Sequence, residues 1–335
     1  MKHITFYTLA FLLLSLLFLD SCKKDLTGKK HNLGGDTTKT GDTTKTDSLH
    51  KSMVKSIAYG LYNYIAADKN GNVYALRLDS HSNADTIYKF DVNGNRSGFY
   101  TPERITDHDT VVHHTLLCLA TDTVGNVYTV RYTGSSLTPD VVKITANGTP
   151  STLYTNIAYG YNSIDKIQLS KGNFYFSDNT GIHKIAPGGS ASLLASISNV
   201  FTAGMDGSIF YSKINPDGNV SIIQINPYGA QTIIAGENRV NNISAVQTFG
   251  QVVSMTTDRF NNIYLGEYDN GMATIHKLNG NAIESVVITS PLAHADGPLS
   301  TAKIGVPFSL TSDAAGNLYF SEVTGTPSDI RKITF

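Results

Sequence analysis

The chain has 335 residues, 41% hydrophobic and 16% charged, with 26 basic and 27 acidic side chains and a formal net charge of −1. No basic stripe is present, which excludes the electrostatic footprint of a nucleic-acid binder. Two cysteines exclude a multi-disulfide scaffold.

In chain order, Met1-Lys-His is a short basic start and Ile4 to Leu19 is an apolar run. That run is shorter than the ~20 residues a spanning helix needs. It ends in Leu19-Asp20-Ser21-Cys22, the layout of a secretory signal over residues 1–22. The Leu-x-Ser-Cys ending resembles a bacterial lipobox, with Asp20 as its one departure. The resemblance implies that Cys22 becomes the lipidated first residue of the mature protein. Ser21-Cys-Lys-Lys-Asp25 is similar to lipoproteins of the Bacteroidetes group, which implies an outer-membrane anchor on the periplasmic or cell-surface side.

Residues 23–51 read as a tether. They include the tandem Gly35-Asp-Thr-Thr-Lys-Thr40 and Gly41-Asp-Thr-Thr-Lys-Thr46 and almost no apolar side chains. Such a segment cannot bury enough surface to offset its ordering entropy. As a flexible coil it spans very roughly 30 Å on average. The Asp-Thr-Thr triplets resemble O-glycosylation sites of the same bacterial group; the plain reading is a flexible linker.

From residue 52 onward the chain repeats itself. A turn followed by an aromatic strand appears as Asp68-Lys-Asn-Gly-Asn-Val-Tyr74, Asp122-Thr-Val-Gly-Asn-Val-Tyr128, Asp258-Arg-Phe-Asn-Asn-Ile-Tyr264 and Asp313-Ala-Ala-Gly-Asn-Leu-Tyr319. Shorter copies are Ser170-Lys-Gly-Asn-Phe-Tyr175 and Asp206-Gly-Ser-Ile-Phe210. The aromatic anchors are spaced 54, 47, 35, 54 and 55 residues apart, the period of a propeller blade. The leading Asp is expected to accept N–H groups two or three residues on, with Gly or Asn at the φ > 0 position of a tight hairpin.

A third strand follows each anchor: Thr86 to Phe90, Asp140 to Ile144, Gly181 to Ile185, Ser221 to Ile225, Thr274 to Leu278 and Asp329 to Ile333. A fourth is expected at Gly98 to Tyr100, Thr152 to Tyr154, Ser192 to Leu194, Thr232 to Ile234 and Ser285 to Val287. Four antiparallel strands in six units predict an all-β, six-bladed propeller over residues 52–335. The sixth unit lacks its fourth strand. Ser52 to Gly60 aligns with Thr152 to Gly160, which contains one. The N-terminal segment is therefore expected to be the outer strand that closes the ring, so that no strand edge is left unpaired.

These units resemble NHL repeats, which read apolar strand, Asp-x-x-Gly-Asn, aromatic strand, then an Arg-Ile-x-Lys-Ile type strand. The best match runs from Asp296-Gly-Pro-Leu to Phe335. The third and fourth units depart most. The chain has no Trp, so it lacks the Trp-Asp signature of another propeller class. The NHL resemblance implies a binding module for a protein or glycan partner. The competing reading is a metal-dependent hydrolase or lyase like the sugar lactonases, whose buried Glu, Asn and Asp surround a divalent ion. No Glu precedes the first inner strand to fill that part, and Glu267 and Glu322 read as rim residues. No nucleophile elbow, phosphate loop or paired-His zinc motif occurs, so no catalytic residue, metal or cofactor is assigned.

Candidate ligand contacts come from the long links between blades, because irregular loops on a rigid scaffold are where recognition usually sits. They are Tyr62, His113, His114, Tyr161, His294 and Asp296. The run Asp107-His-Asp-Thr-Val-Val-His-His114 is read as a solvated loop without a metal. Tyr59 and Tyr159 are read as packing residues between blades, and Tyr62 and Tyr161 as exposed. Cys118, in Leu116-Leu-Cys-Leu119, is read as a small core residue of an inner strand.

Overall fold

Each Asp-x-x-Gly-Asn turn works as a clamp. In the first, Asp68 Oδ1 accepts the N–H groups of Asn70 and Asn72 at 2.9 and 3.0 Å, two and four residues on. Its Oδ2 accepts the Asn72 amide at 2.7 Å and lies 3.5 Å from the Tyr74 hydroxyl. Gly71 takes φ +81°, and Asn261 takes that place in the fifth blade at φ +60°. The motif therefore ties turn, second strand and aromatic anchor into one hydrogen-bonded unit. The bonds from the Asn backbone, the Asn amide and the Tyr hydroxyl recur at Asp122, Asp258 and Asp313.

The computed structural model describes residues 52–335 apart from 78–84, 104, 108–109, 113, 134–137, 156, 158–163, 187–188, 197–199, 217, 237–248, 280–283 and 325–328. The described residues build an all-β, six-bladed propeller of four-stranded antiparallel sheets, with no helix among them. The inner strands, in blade order, are Tyr62–Ala67, His114–Thr121, Lys166–Ser170, Phe201–Ala203, Gln251–Thr257 and Val306–Ser312. Every predicted third and fourth strand is present, within a few residues of its expected ends. A short hairpin of Ile105–Asp107 with Thr110–Val112 stands between blades 1 and 2, where the sequence suggested an irregular loop.

The ring closes as expected. Met53–Ala58 pairs antiparallel with Asp329–Thr334, Met53 opposite Thr334 and Ala58 opposite Ile330. A fifth short segment, Gly297–Pro298, adds to the far side of that strand. Apolar side chains form six clusters, each wedged between two successive blades. One joins blade 6 to blade 1 through Tyr319 and Ile330 on one side and Tyr62, Val73 and Phe90 on the other. The core is thus distributed around the ring, as repeat stacking requires.

Hydroxyls stitch the inner strands together. Thr121 donates to the Ala67 carbonyl at 2.6 Å, Thr257 to Ala203 at 2.8 Å and Ser312 to Thr257 at 2.8 Å. Each donor immediately precedes its blade's turn Asp, and each acceptor lies at the matching height of the preceding blade.

Chain direction gives the ring two faces. Turns from first to second strand, and from third to fourth, lie on one face, called here the turn face. The connections from second to third strand, and the links between blades, lie on the loop face.

Candidate functional site

The loop-face ends of three blades carry an acid–base pair in one shared register. Asp178, Glu267 and Glu322 each stand three residues past their anchors Tyr175, Tyr264 and Tyr319. His183, His276 and Arg331 lie opposite Phe176, Leu265 and Phe320 in the third strands. Acid and base therefore project from the same side of adjacent strands. The pairs are short: His183 Nε2 to Asp178 Oδ1 3.0 Å, His276 Nε2 to Glu267 Oε2 2.6 Å, and Arg331 Nη1 to Glu322 Oε1 2.6 Å. In blades 1, 2 and 4 the acid position holds Arg77, Arg131 and Lys213 instead. Glu267 and Glu322, expected at the rim, are buried, because each accepts a backbone N–H from the start of its own inner strand, Gly250 and Gly305, at 2.9 Å. Burial would raise the Glu267 carboxyl, yet His276 and the Gly250 N–H hold it below its usual range.

Blade 6 extends its pair into a network. Arg331 is fully buried. Its Nη2 reaches Asp296 Oδ1 at 2.9 Å and the Ala295 carbonyl at 3.1 Å. Asp296 in turn accepts the Ser56 N–H at 2.9 and 3.0 Å and the Ser56 hydroxyl at 2.8 Å. His294 bridges Glu322, with Nδ1 to Oε1 at 2.6 Å, and Ser56, with Nε2 to Oγ at 3.0 Å. Asp329 accepts the Gly60 N–H at 3.2 Å and lies 3.3 Å from His294 Nδ1. The network joins the N-terminal strand, the blade 5–6 link and the C-terminal strand, so it locks the seam of the ring. Burial would raise the Asp296 carboxyl, but the Ser56 donors, Arg331 and His294 hold it low.

His294, Glu322 and Asp329 offer ligand atoms within 4.8 Å of one another, the spacing of a metal trio. The donor set does not fit an ion. Glu322 Oε1 already meets the Arg331 guanidinium, Oε2 holds the Gly305 N–H, and Asp329 Oδ1 holds the Gly60 N–H. A cation there would face a buried, permanently charged Arg.

Of the sequence-derived candidates, His294 and Asp296 come together in this network. Tyr62, expected to be exposed, is 1% exposed. It packs edge-on against Tyr88 and Phe90, because it opens an inner strand instead of ending a link. His114 is also buried, in the second inner strand, with Nδ1 3.1 Å from Thr133 Oγ1. Burial and Arg131 push its pKa down. His113 and Tyr161, like Cys22 and Tyr159, lie outside the described residues. Cys118 is a buried inner-strand residue as expected, and burial pushes its thiol pKa up. Tyr59, read as packing, is 70% exposed. It stands over His294 with ring centroids 5.8 Å apart, beside exposed Leu61. An aromatic face with an imidazole and the half-exposed Asp296 carboxylate next to it can stack an apolar surface and orient a polar group.

Inside the ring, Lys166 reaches from blade 3 past blade 4 to the Met255 carbonyl of blade 5 at 2.5 Å. It keeps some contact with water, yet protein surrounds it, and desolvation lowers its pKa to about 7. Beside it in sequence, burial and Asp178 raise Asp165 to about 6.

No protein-family profile matches the chain, and no curated protein does. Among solved structures it is similar to a protein of unknown function from Bacteroides thetaiotaomicron, with 17% identity and TM-score 0.61, covering 84% of this chain and 76% of that one. It is also similar to a gluconolactonase from Xanthomonas campestris, with 10% identity and TM-score 0.53 over 86% and 92% of the two chains. A calcium-binding regucalcin from Agrobacterium tumefaciens matches at 9% identity and TM-score 0.53 over 84% and 92%. At such identities the likeness is one of fold, the six-bladed β-propeller, and one fold hosts many activities.

Proposed function

We propose that this is a lipid-anchored, extracytoplasmic propeller of the NHL-repeat kind that binds a protein or glycan partner through its loop face and performs no chemistry on it. The observation that carries the reading is the exposed Tyr59 ring over His294, on a link whose position the seam network holds rigid. A preorganised aromatic platform with a charged rim is a binding device. The carboxylates beside it are already engaged by Arg331 and backbone N–H groups, so they support structure. The Leu19-Asp-Ser-Cys22 ending supports an outer-membrane anchor.

Cross-linking in cells, with and without Tyr59→Ala, tests the platform. The variant is expected to lose the partner captured by the parent, whereas Lys69→Ala and Thr123→Ala on the turn face keep it. Capture lost only in the turn-face variants would reverse the assignment. Labelling with a fatty acid tests the anchor: Cys22→Ala should take up none.

The fold likeness to the Xanthomonas gluconolactonase favours a second reading, a metal-dependent lactonase-like hydrolase. A stoichiometric calcium or zinc ion held through purification, found by elemental analysis, would favour that reading over the first.

A further inference from the structure

The turn face carries an unusual set of side chains. Its hairpin tips present Val92, Val124, Met205, Tyr228 and Phe260, all exposed, with Tyr228 at 96% and Phe260 at 64%. They come from four different blades, and two neighbouring tips are joined where the Met205 N–H donates to Asn261 Oδ1 at 2.7 Å. Large apolar side chains at these tips contribute nothing to the wedge cores described above.

The charges on this face are sorted. Three of the turn carboxylates, Asp68, Asp258 and Asp313, are buried, Asp91, Asp122 and Asp206 are half-buried, and turn N–H groups take up each of them. The cations stay out. Lys69, Lys171 and Arg259 are exposed on turns, and Arg259 lies over the Phe260 ring at 4.5 Å. Water therefore meets apolar tips interspersed with cations, the composition that favours an anionic lipid–water interface.

Chain direction supplies the third observation. Met53 pairs with Thr334, at the end of blade 6 where third strands run into the turn face. Residue 52 therefore lies at that side of the ring.

We propose that the turn face docks on a lipid surface, its apolar tips seated among the head groups and its cations against anionic lipid, so that the loop face with Tyr59 points away from the membrane. The proposal rests on the anchored reading above.

The full chain in vesicles containing phosphatidylglycerol tests it. Phe260→Cys and Tyr59→Cys would each carry a bimane label, read by quenching from doxyl-lipid in the membrane and iodide in water. The label at 260 is expected to be quenched by doxyl-lipid at least about 3-fold more than the label at 59, with the opposite order for iodide. Met205→Ser and Tyr228→Ser, added to Phe260→Cys, should remove the difference while the melting temperature stays put, because both side chains are exposed. Equal quenching at the two sites, or deeper burial of the label at 59, overturns the proposal. So does protection at 260 that persists without vesicles, which would mean a protein partner or a second copy on this face. The anchored reading fails separately, and visibly: bimane then labels Cys22 in the unsubstituted chain, where an acylated thiol would be blocked.

Discussion

Blades 5 and 6 use the same parts for different ends. Fifty-five residues separate Gly250 from Gly305, Glu267 from Glu322 and His276 from Arg331. In both, the glutamate takes an inner-strand N–H on one oxygen and a third-strand base on the other. In blade 5 the device ties three strands of one sheet. In blade 6 the base is a guanidinium with a second arm, and that arm reaches Asp296, which holds Ser56. The repeat position that braces blade 5 takes part, in blade 6, in fastening the two ends of the propeller's chain.

The largest expected effect removes what blade 6 fastens. Deleting residues 52–58 strips the outer strand from Asp329–Thr334 and exposes its edge, so the ring should lose its cooperative thermal transition or melt far below the parent. Deleting 23–48 should change nothing in the melt. Matching melting curves for the two truncations would show that the seam is not the weak point of the ring.

Next comes the base itself. Arg331→Met leaves Glu322 and Asp296 without their guanidinium and should cost about 3–5 kcal/mol in denaturant unfolding. His276→Leu, the same change one blade earlier, leaves one glutamate with a remaining N–H partner and should cost about 1–2 kcal/mol. If the two substitutions cost the same, blade 6 is no more than another braced blade.

Lys166 gives a pH-dependent contrast outside both blades. Its folded pKa, about 7, lies below the ~10.4 of an unfolded lysine. The folded state therefore binds fewer protons between those values, and the stability cost of the lysine fades as pH rises from 7 to about 10. Lys166→Met should stabilise the ring by on the order of 1 kcal/mol at pH 6–7 and less at pH 10. A gain that does not vary with pH would mean that the lysine's charge is not what matters.

A smaller effect separates the two arms of the guanidinium. Asp296→Asn should cost about 1 kcal/mol, because that carboxylate is half exposed. Asp296 is held below its ordinary value, so its contribution is complete above about pH 4 and is lost as pH falls through the folded value. Parent and variant should converge in acid. Tyr59→Ala should move stability least of all, within about 0.5 kcal/mol, while abolishing partner capture.

Much of this was legible in the chain. The clamp motif announced itself because each of its residues bonds locally. Asp and Asn pair within the turn, Gly or Asn supplies the positive φ, and the tyrosine hydroxyl returns to the Asp. The closing strand was legible because Ser52 to Gly60 repeats Thr152 to Gly160. The acid–base register was present too, in the alignment of Ile182-His183-Lys184, Ile275-His276-Lys277 and Ile330-Arg331-Lys332. It becomes visible only when that alignment is set beside the acids three residues past the anchors. Tyr62 and Tyr59 were misread because burial depends on whether a residue opens a strand or ends a link, a boundary that the run Ala58-Tyr-Gly-Leu-Tyr62 does not mark.

The sequence alone determined the architecture: period, strand count, turn chemistry and closure follow from residues whose partners lie within one repeat, or at a fixed offset from it. Only the tertiary structure decided what the blade 6 carboxylates do. Ser56, His294, Asp296, Glu322, Asp329 and Arg331 span 275 residues of chain, and no periodicity joins them. They meet because the ring returns to its start, and a contact between chain ends has no local signature. The two faces were decided in the same way. A valine or phenylalanine inside a turn motif reads as filler until the fold places several such tips on one side, with the carboxylates of Asp68, Asp258 and Asp313 buried beneath that face.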